Sequence, residues 1–235
     1  YVAWAHRKPL FQVPTVMSVN AAWAHRAAVR VDGVVKYVAW AVPEGVYVDF
    51  DVIRSAPVEL NRSGVGDILC YHTGHWDWQM ARDRGRCEER WPYDQRLVDE
   101  AQVALQRVVD HADDIHAVND EGIRALAESL RWGGAAFYNA GWNPRHIEGA
   151  EHFVFYALEY LTGRPFIHGQ IVGLGPMGYY YAALWLVAEV QGQLATQAGA
   201  EFSRLNFQPS AYDSDRGKQY RRFDLTRDGF TLLAM

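Results

Sequence analysis

The 235-residue sequence has few cysteines and no long uninterrupted apolar run, and both absences exclude classes of protein. Cys70 and Cys87 are too few for a disulfide framework, and they lack the spacing of a CxxC metal motif. The longest apolar stretch, from Gly173 to Val190, is interrupted by glycines, a proline and a glutamate, so it predicts a buried helix rather than a membrane span. No segment has the pattern of a signal peptide. We therefore expect a cytoplasmic protein with reduced thiols and no membrane partner.

An excess of positive charge is also lacking. The formal net charge is −5, and acidic and basic residues are mixed along the chain. This gives no basic surface for nucleic acid, so we expect no nucleic-acid partner. Hydrophobic residues make up 49% of the chain, an ordinary globular balance that can form a sizeable core. The length fits one large domain, or one domain and part of another.

The first 57 residues are rich in valine and aromatic residues in short apolar runs. Asp32-Gly33 lies between two such runs and predicts a hairpin turn, because both turn positions need positive φ. The expected strands are Phe11–Thr15, Ala28–Val31, Val34–Val38 and Val46–Phe50.

From about Pro57 onward the apolar residues recur at helical spacing. Asn119 is the expected N-cap of a helix through Leu130. The other expected helices are Asp94–Ala117, Gly149–Leu161 and Gly169–Leu194, and the tail from Phe202 is expected to be irregular. The predicted fold is α+β: a short strand-rich segment, residues 1–57, followed by a mainly helical domain, residues 58–235.

Three short stretches place a possible metal ligand at the edge of a predicted helix. They are Gly64–Cys70 with Asp67, Glu148–His152, and Ile167–Gln170 with His168. One carboxylate and two imidazoles suit Zn²⁺ or Fe²⁺, and three protein ligands leave open positions for catalysis. Taken singly, Asp67 is as well explained as a helix cap, and each histidine as a core or surface residue.

These stretches and one more resemble motifs of a known family. Pro57–Asp67 resembles the "P..L..aG.GD" segment of the glycerol and glycerol-1-phosphate dehydrogenases, and Pro144–His152 their "SRPxSGSEH". Phe166–Gly175 is similar to "HGEQVGLG", and Val13–Ala21 to "VPTxxSTDA". The four motifs stand in the family order and cover residues from about 10 to 190.

The resemblance implies an iron- or zinc-containing polyol dehydrogenase with a dehydroquinate synthase-like fold, commonly a homo-oligomer. Its metal ligands would be Asp67, His152 and His168. The metal would act as a Lewis acid on a polyol or polyol phosphate while hydride passes to NAD or NADP.

Other roles follow from position in these motifs. Thr15 and Ser18 would lie along the cofactor, and Asn20 and His25 would contact the substrate. His72 and His75 follow Asp67 and are candidates for a proton relay, although a partly exposed helix face explains them equally well. The implied alternatives are a sugar-phosphate cyclase or lyase of the 3-dehydroquinate synthase type, and a non-catalytic, metal-stabilised subunit.

The sequence also departs from the family pattern. Asn20 replaces an acidic residue, and His146 and Glu148 replace a proline and a serine. Tyr71 replaces a histidine found in long-chain iron alcohol dehydrogenases, so the three-ligand polyol branch fits better. The 3-dehydroquinate synthases have glutamate at the position of Asp67.

The family's Rossmann-like nucleotide-binding domain would need roughly 100 residues or more, but only about ten residues precede the Val13–Ala21 motif. We therefore expect an incomplete chain, in which residues 1–57 are the last strands of that domain. Gly173–Gly178 matches GxGxxG, but Pro176 is unusual in a phosphate turn. We interpret these glycines as allowing close helix packing.

Overall fold

The computed structural model describes residues 1–32, 34–176, 207–213 and 219–225. The chain divides into two compact units, Tyr1–Pro176 and Met177–Met235.

The first unit opens with short elements. These are helix α1 (Val2–Ala5), strand β1 (Phe11–Gln12), a 3-10 helix (Asn20–Trp23), and strands β2 (Ala27–Val31), β3 (Val34–Val38) and β4 (Gly45–Val46). β2 pairs antiparallel with β3, with Ala28 opposite Tyr37, and Asp32 has the positive φ expected of the turn. The predicted hairpin is therefore confirmed. β1 pairs in parallel with β4.

Two of the expected strands are shorter than predicted. The strand expected over Phe11–Thr15 covers two residues, and that expected over Val46–Phe50 ends at Val46. The reason for the second difference is Asp49, whose carboxylate accepts the backbone N–H groups of Asp51 and Val52. An aspartate in this position starts a helix, so α2 replaces the end of the expected strand.

Helices form the rest of this unit. They are α2 (Phe50–Ser55), α3 (Val58–Arg62), α4 (Gly64–Asp83), α5 (Gln95–Asp110), α6 (Ala112–Ala117), α7 (Asp120–Asn139) and α8 (Ala150–Thr162). Residues 168–176 are also helical. The mainly helical fold predicted from the sequence is confirmed.

The expected helix ends are mostly found. The Asn119 side chain accepts the N–H of Gly122 at 2.9 Å and caps α7, as predicted. The helix expected over Asp94–Ala117 is instead two helices, which meet at His111. The helix expected from Gly169 begins at residue 168, and its part beyond residue 176 lies outside the described residues.

The core of the first unit lies where α4, α5 and α7 pack together. Ile68 of α4 and Leu130 of α7 are fully buried there, and Ala101 of α5 packs in the same cluster. Burial of such side chains is the main favourable term in folding. This core fixes α4, which carries Asp67. Within the described ranges, no helix is both long and apolar enough to cross a membrane.

In the second unit, strands β5 (Phe207–Asp213) and β6 (Gln219–Leu225) form an antiparallel hairpin. The expectation of an irregular tail was wrong for these residues. The pairing places Tyr212 opposite Tyr220 and Pro209 opposite Phe223. The charged residues of β6 obscure its apolar alternation in the sequence.

Candidate metal centre

Asp67 lies in the first turns of α4 and is buried, with 2% of its surface exposed. One carboxylate oxygen, Oδ2, accepts the backbone N–H of Asn20 at 3.1 Å. The other, Oδ1, lies 3.1 Å from Nε2 of His168. Its partners therefore lie outside its own helix, and the alternative of a simple helix cap does not describe it.

The two histidines come from different helical segments. His152 is in the first turn of α8, and His168 is the first helical residue of 168–176. Nε2 of His152 lies 3.8 Å from Oδ1 of Asp67, and the two imidazole rings are 5.1 Å apart between centroids. One ligand atom from each of the three residues lies within 4.8 Å of the other two. This spacing and an O/N/N donor set fit a single Zn²⁺ or Fe²⁺ ion.

Glycines allow the helices that carry these ligands to approach. A Cβ added to Gly66 of α4 would overlap the carbonyl oxygen of Gly169, and one added to Gly173 would lie 2.7 Å from the Cα of Gly66. α4 therefore meets the segment 168–176 with backbone against backbone. This contact places Asp67 beside His168, and it supports the interpretation of the glycine-rich stretch as a packing surface.

Glu151 orients the imidazole of His152. Its Oε1 lies 3.0 Å from Nδ1 of His152 and accepts the N–H of Gly149, while the Thr73 hydroxyl donates to Oε2 at 2.8 Å. A carboxylate bound to one imidazole nitrogen fixes the tautomer and leaves the other nitrogen free to bind metal. Nε2, which faces Asp67, is thus the nitrogen prepared as a ligand.

A second group of possible ligands overlaps the first. Cys70, Glu151 and His152 also bring ligand atoms within 4.8 Å of one another. However, the Cys70 thiol lies 2.9 Å from the carbonyl oxygen of Ile147, and burial raises its pKa well above the ordinary value. A metal binds the thiolate. The first group therefore fits a metal better.

Burial by itself would raise the pKa of Asp67, but the hydrogen bond and charge of His168, with help from His152, hold it below its ordinary value. Burial likewise opposes a charged His152, yet the surrounding carboxylates, Glu148 first, raise the pKa of this imidazole to about 9. The buried carboxylates therefore stabilise a positive charge placed between them. A divalent cation supplies such a charge.

The three residues line a cavity of about 800 Å³. Its apolar lining includes Phe137, Phe155 and Phe166. Tyr37 and Tyr156 also line it, and their hydroxyls lie 3.0 Å apart. The β2–β3 hairpin and α8 face each other here. Arg30 of β2 forms a two-pronged ion pair with Glu159 of α8, with separations of 2.6 and 2.8 Å.

The structure brings some of the other expected site residues to this cavity. Asn20 and His25 both line it. The ring of His25 lies 4.8 Å from that of Tyr138, and burial lowers its pKa. Thr15 and Ser18 are not among the described residues that line the cavity. Their role with a cofactor stays a prediction.

His72 and His75 are not placed as a relay would require. His72 is exposed, and Nδ1 of His75 lies 3.2 Å from the Tyr71 carbonyl oxygen and 3.3 Å from the Gln102 amide nitrogen. Neither is among the described residues that line the cavity. With 3.6 residues per turn, His72 lies on the far side of α4 from Asp67, whereas His75 lies roughly 12 Å further along the helix axis. A part of either histidine in a proton relay stays a prediction.

Sequence reasoning missed two carboxylates beside the metal ligands, Glu148 and Glu151. Each stands within four residues of His152, and α8 starts at Ala150. Acidic residues this close to a candidate ligand histidine were the available signal. The Tyr37–Tyr156 pair had no local signal, because its members are 119 residues apart.

No family model matches the chain. It is 29% identical over 216 residues to the glycerol-1-phosphate dehydrogenase [NAD(P)+] of Geobacillus stearothermophilus, covering 87% of this chain and 52% of that protein. It is 31% identical over 180 residues to the enzyme of the same name from Thermococcus kodakarensis, covering 75% and 50%. The chain is a relative of the glycerol-1-phosphate dehydrogenases. The resemblance to these dehydrogenases that its motifs indicated is confirmed.

The fold agrees with this relationship. Glycerol dehydrogenase from Schizosaccharomyces pombe superposes with a TM-score of 0.59 at 18% identity, covering 88% of this chain and 53% of that one. The chain spans about half the length of the curated relatives it matches.

Proposed function

We propose that this chain is the metal-binding part of an NAD(P)-linked dehydrogenase that acts on a polyol or polyol phosphate. The observation that carries the proposal is the convergence of Asp67, His152 and His168 within 4.8 Å on the wall of a cavity. Supporting it, relatives at 29% and 31% identity are named glycerol-1-phosphate dehydrogenases.

Bound Zn²⁺ or Fe²⁺ would supply Lewis acidity, which lowers the pKa of a substrate hydroxyl and stabilises the negative charge left on its oxygen. Asp67, His152 and His168 would hold the ion. Glu151 keeps Nδ1 of His152 occupied, and the Asn20 N–H fixes the Asp67 carboxylate. The phenylalanines of the cavity wall would give a bound substrate an apolar surface.

The tyrosine pair offers hydroxyl groups for substrate positioning. Burial raises the pKa of Tyr37 to about 12 and moves that of Tyr156 upward as well. Both phenols are therefore neutral near pH 7. Neutral phenols donate hydrogen bonds, which suits them to orient the hydroxyls of a polyol.

Arg26 supports a polyol phosphate rather than an unphosphorylated polyol as the substrate. It precedes β2 and lines the same cavity as the metal ligands. In the part of the chain that the structure describes, Arg30 is neutralised by Glu159, whereas Arg26 has no carboxylate within ion-pair distance and donates to the Tyr37 carbonyl oxygen at 2.6 Å. An uncompensated guanidinium is suited to bind a phosphate group.

The nicotinamide cofactor and the division of the chain are also proposals. Residues 1–57 would be the last strands of a nucleotide-binding domain, residues 58–235 the catalytic helical domain, and Thr15 and Ser18 would lie beside the cofactor. About half of each relative lies outside the match, which is room enough in those proteins for a nucleotide-binding domain.

The metal content of the purified chain tests the proposal. We expect near-stoichiometric zinc or iron, lost in an Asp67→Ala, His152→Ala, His168→Ala triple variant. A triple variant of exposed residues, His6→Ala, Asp113→Ala and His116→Ala, serves as the matched control and should keep its metal. Absence of metal from the wild-type chain, even after reconstitution with either ion, would contradict the proposed function.

A further inference from the structure

Glu148 lines the same cavity as the three candidate ligands. Its Oε1 lies 3.9 Å from Nε2 of His152, and Oδ1 of Asp67 lies 3.8 Å from the same nitrogen. The two carboxylates thus approach the free nitrogen of His152 equally closely. The Glu148 oxygens are not within 4.8 Å of ligand atoms of both Asp67 and His152, so the Glu148 side chain would have to turn to reach an ion bound by these two residues.

The carboxylate of Glu148 is also free to turn. Its neighbour Glu151 is held by Gly149, Thr73 and His152. Within the described residues, no hydrogen bond holds the Glu148 carboxylate, and a quarter of the side chain is exposed. A carboxylate in such a position can turn toward a metal without breaking a hydrogen bond.

The charges around His152 also support a metal-binding role for Glu148. Asp67 and Glu148 are like charges beside one buried imidazole, and such pairs are unfavourable unless a cation lies between them. Two carboxylates balance the charge of one divalent ion. Hard oxygen ligands also suit Fe²⁺ and Zn²⁺ when combined with imidazole.

We propose that Glu148 is a fourth protein ligand, so that the centre is Asp67, Glu148, His152 and His168. This inference rests on the proposed function, because it requires that the first three residues bind a metal. It predicts a charge-balanced ion held by two oxygens and two nitrogens from the protein.

Metal affinity tests the proposal without any activity measurement. The dissociation constant for Zn²⁺ is measured by competition with a chromophoric chelator for the wild-type chain, Glu148→Gln and Glu148→Ser. Loss of a ligand should weaken binding by at least as much as the roughly 10- to 100-fold effect of losing a supporting residue. Glu148→Gln keeps the size of the side chain, so a folding defect is not expected, and circular dichroism checks this.

A spectroscopic readout separates a ligand from a nearby charge. The visible absorption of bound Co²⁺ depends on the number and type of its ligands, and both variants should change it. Glu88→Gln is the matched control. Glu88 lines a neighbouring pocket with Glu148 but pairs with Arg145 at 2.7 Å, so its loss should leave the affinity and the Co²⁺ spectrum unchanged.

The outcomes distinguish this inference from the proposed function. Weaker Zn²⁺ binding together with a changed Co²⁺ spectrum in both Glu148 variants would support a fourth ligand. Affinity and spectrum like those of the wild type would overturn it while leaving the three-residue centre intact. A weaker affinity with an unchanged spectrum would also overturn it, because it would show an electrostatic effect only. A wild-type chain that binds no metal would overturn both proposals.

Discussion

Glu151 lies 3.0 Å from Nδ1 of His152 and is fully buried. Burial opposes its charge, but the hydrogen bond and charge of His152 lower the pKa of Glu151 below its ordinary value. The carboxylate is therefore ionised at neutral pH and accepts the Nδ1 proton of His152, which leaves Nε2 as the nitrogen for a metal. Adjacent residues of one helical turn thus set which nitrogen of His152 faces Asp67.

We predict that Glu151→Gln weakens Zn²⁺ binding by roughly 10- to 100-fold, the usual effect of losing a supporting carboxylate. The amide can still occupy the space, but it does not hold His152 as a charged acceptor does. The measurement is a chelator competition at neutral pH. Thr73→Val, which removes only the hydroxyl that donates to Glu151, is a graded control and should have a smaller effect. Equal affinity in Glu151→Gln and the wild type would show that His152 needs no support.

The sequence predicted those features of the fold and of the candidate metal centre that have local signals. Asp67 and His168 stand in short motifs, and Asn119 is a helix cap whose effect depends only on the next three residues. The hairpin around Asp32 is equally local. These features could be predicted because each depends on residues a few positions apart.

Other features depend on contacts between distant segments and could not be predicted in the same way. Which face of α4 meets the cavity decides that Asp67 lies in it while His75 does not, and that choice is made by packing against α5. The strand expected over Val46–Phe50 ends early for a local reason, because Asp49 caps helix α2. The two strands of the tail pair through their backbones, and in a sequence this rich in charged residues the pairing produces no clear apolar alternation.

Gly66 provides the close contact between α4 and residues 168–176, and we predict that Gly66→Ala destabilises the fold and weakens metal binding. The new Cβ overlaps backbone atoms of Gly169, which cannot move as a side chain can. Overpacking of this kind costs about 1–3 kcal/mol. Urea denaturation and Zn²⁺ competition measure the two effects.

Gly74→Ala is the matched control, because Gly74 lies in the same helix. Its added Cβ would lie 3.2 Å from the backbone carbon of Glu148, a tight contact without overlap. The gain in helix propensity, about 1 kcal/mol, should largely offset this contact. A Gly66→Ala chain as stable as Gly74→Ala would contradict the packing argument.

The burial of His146 leads us to expect a fold that is less stable at acidic pH. It is fully buried between Trp78 and Trp132, neither ring nitrogen has a hydrogen-bond partner in the described part of the chain, and burial lowers its pKa to about 4. In the unfolded chain the imidazole of His146 binds a proton near pH 6.5. The stability of the fold with a neutral His146 is therefore fully present above that pH. It is lost as the pH falls from 6.5 through about 4.

We therefore expect the free energy of unfolding to fall across this pH range, by at most about 1.4 kcal/mol per pH unit from this single proton. Urea denaturation at a series of pH values measures the slope. His146→Phe keeps a ring of similar shape and removes the proton, so its slope should be smaller by this amount. Identical slopes in His146→Phe and the wild type would exclude His146 as the source.

The ion pair between Arg30 and Glu159 should stabilise the contact of the β2–β3 hairpin with α8. Only 5% of the Glu159 side chain is exposed, whereas 56% of Arg30 is, so solvent screens one partner and not the other. Arg30→Met should leave a buried carboxylate without its cation and destabilise the chain by about 1–3 kcal/mol. Glu159→Gln should cost less, because the exposed guanidinium can be solvated by water. A double-mutant cycle by urea denaturation gives the coupling between them, and about 1 kcal/mol or more is expected for partners in direct contact.

Arg96 and Glu100, an exposed pair at 2.8 Å on α5, are the control cycle, with an expected coupling of about 0.3–0.5 kcal/mol. If the two cycles gave equal couplings, the partial burial of Glu159 would add nothing, and the hairpin would be held to α8 by its other contacts.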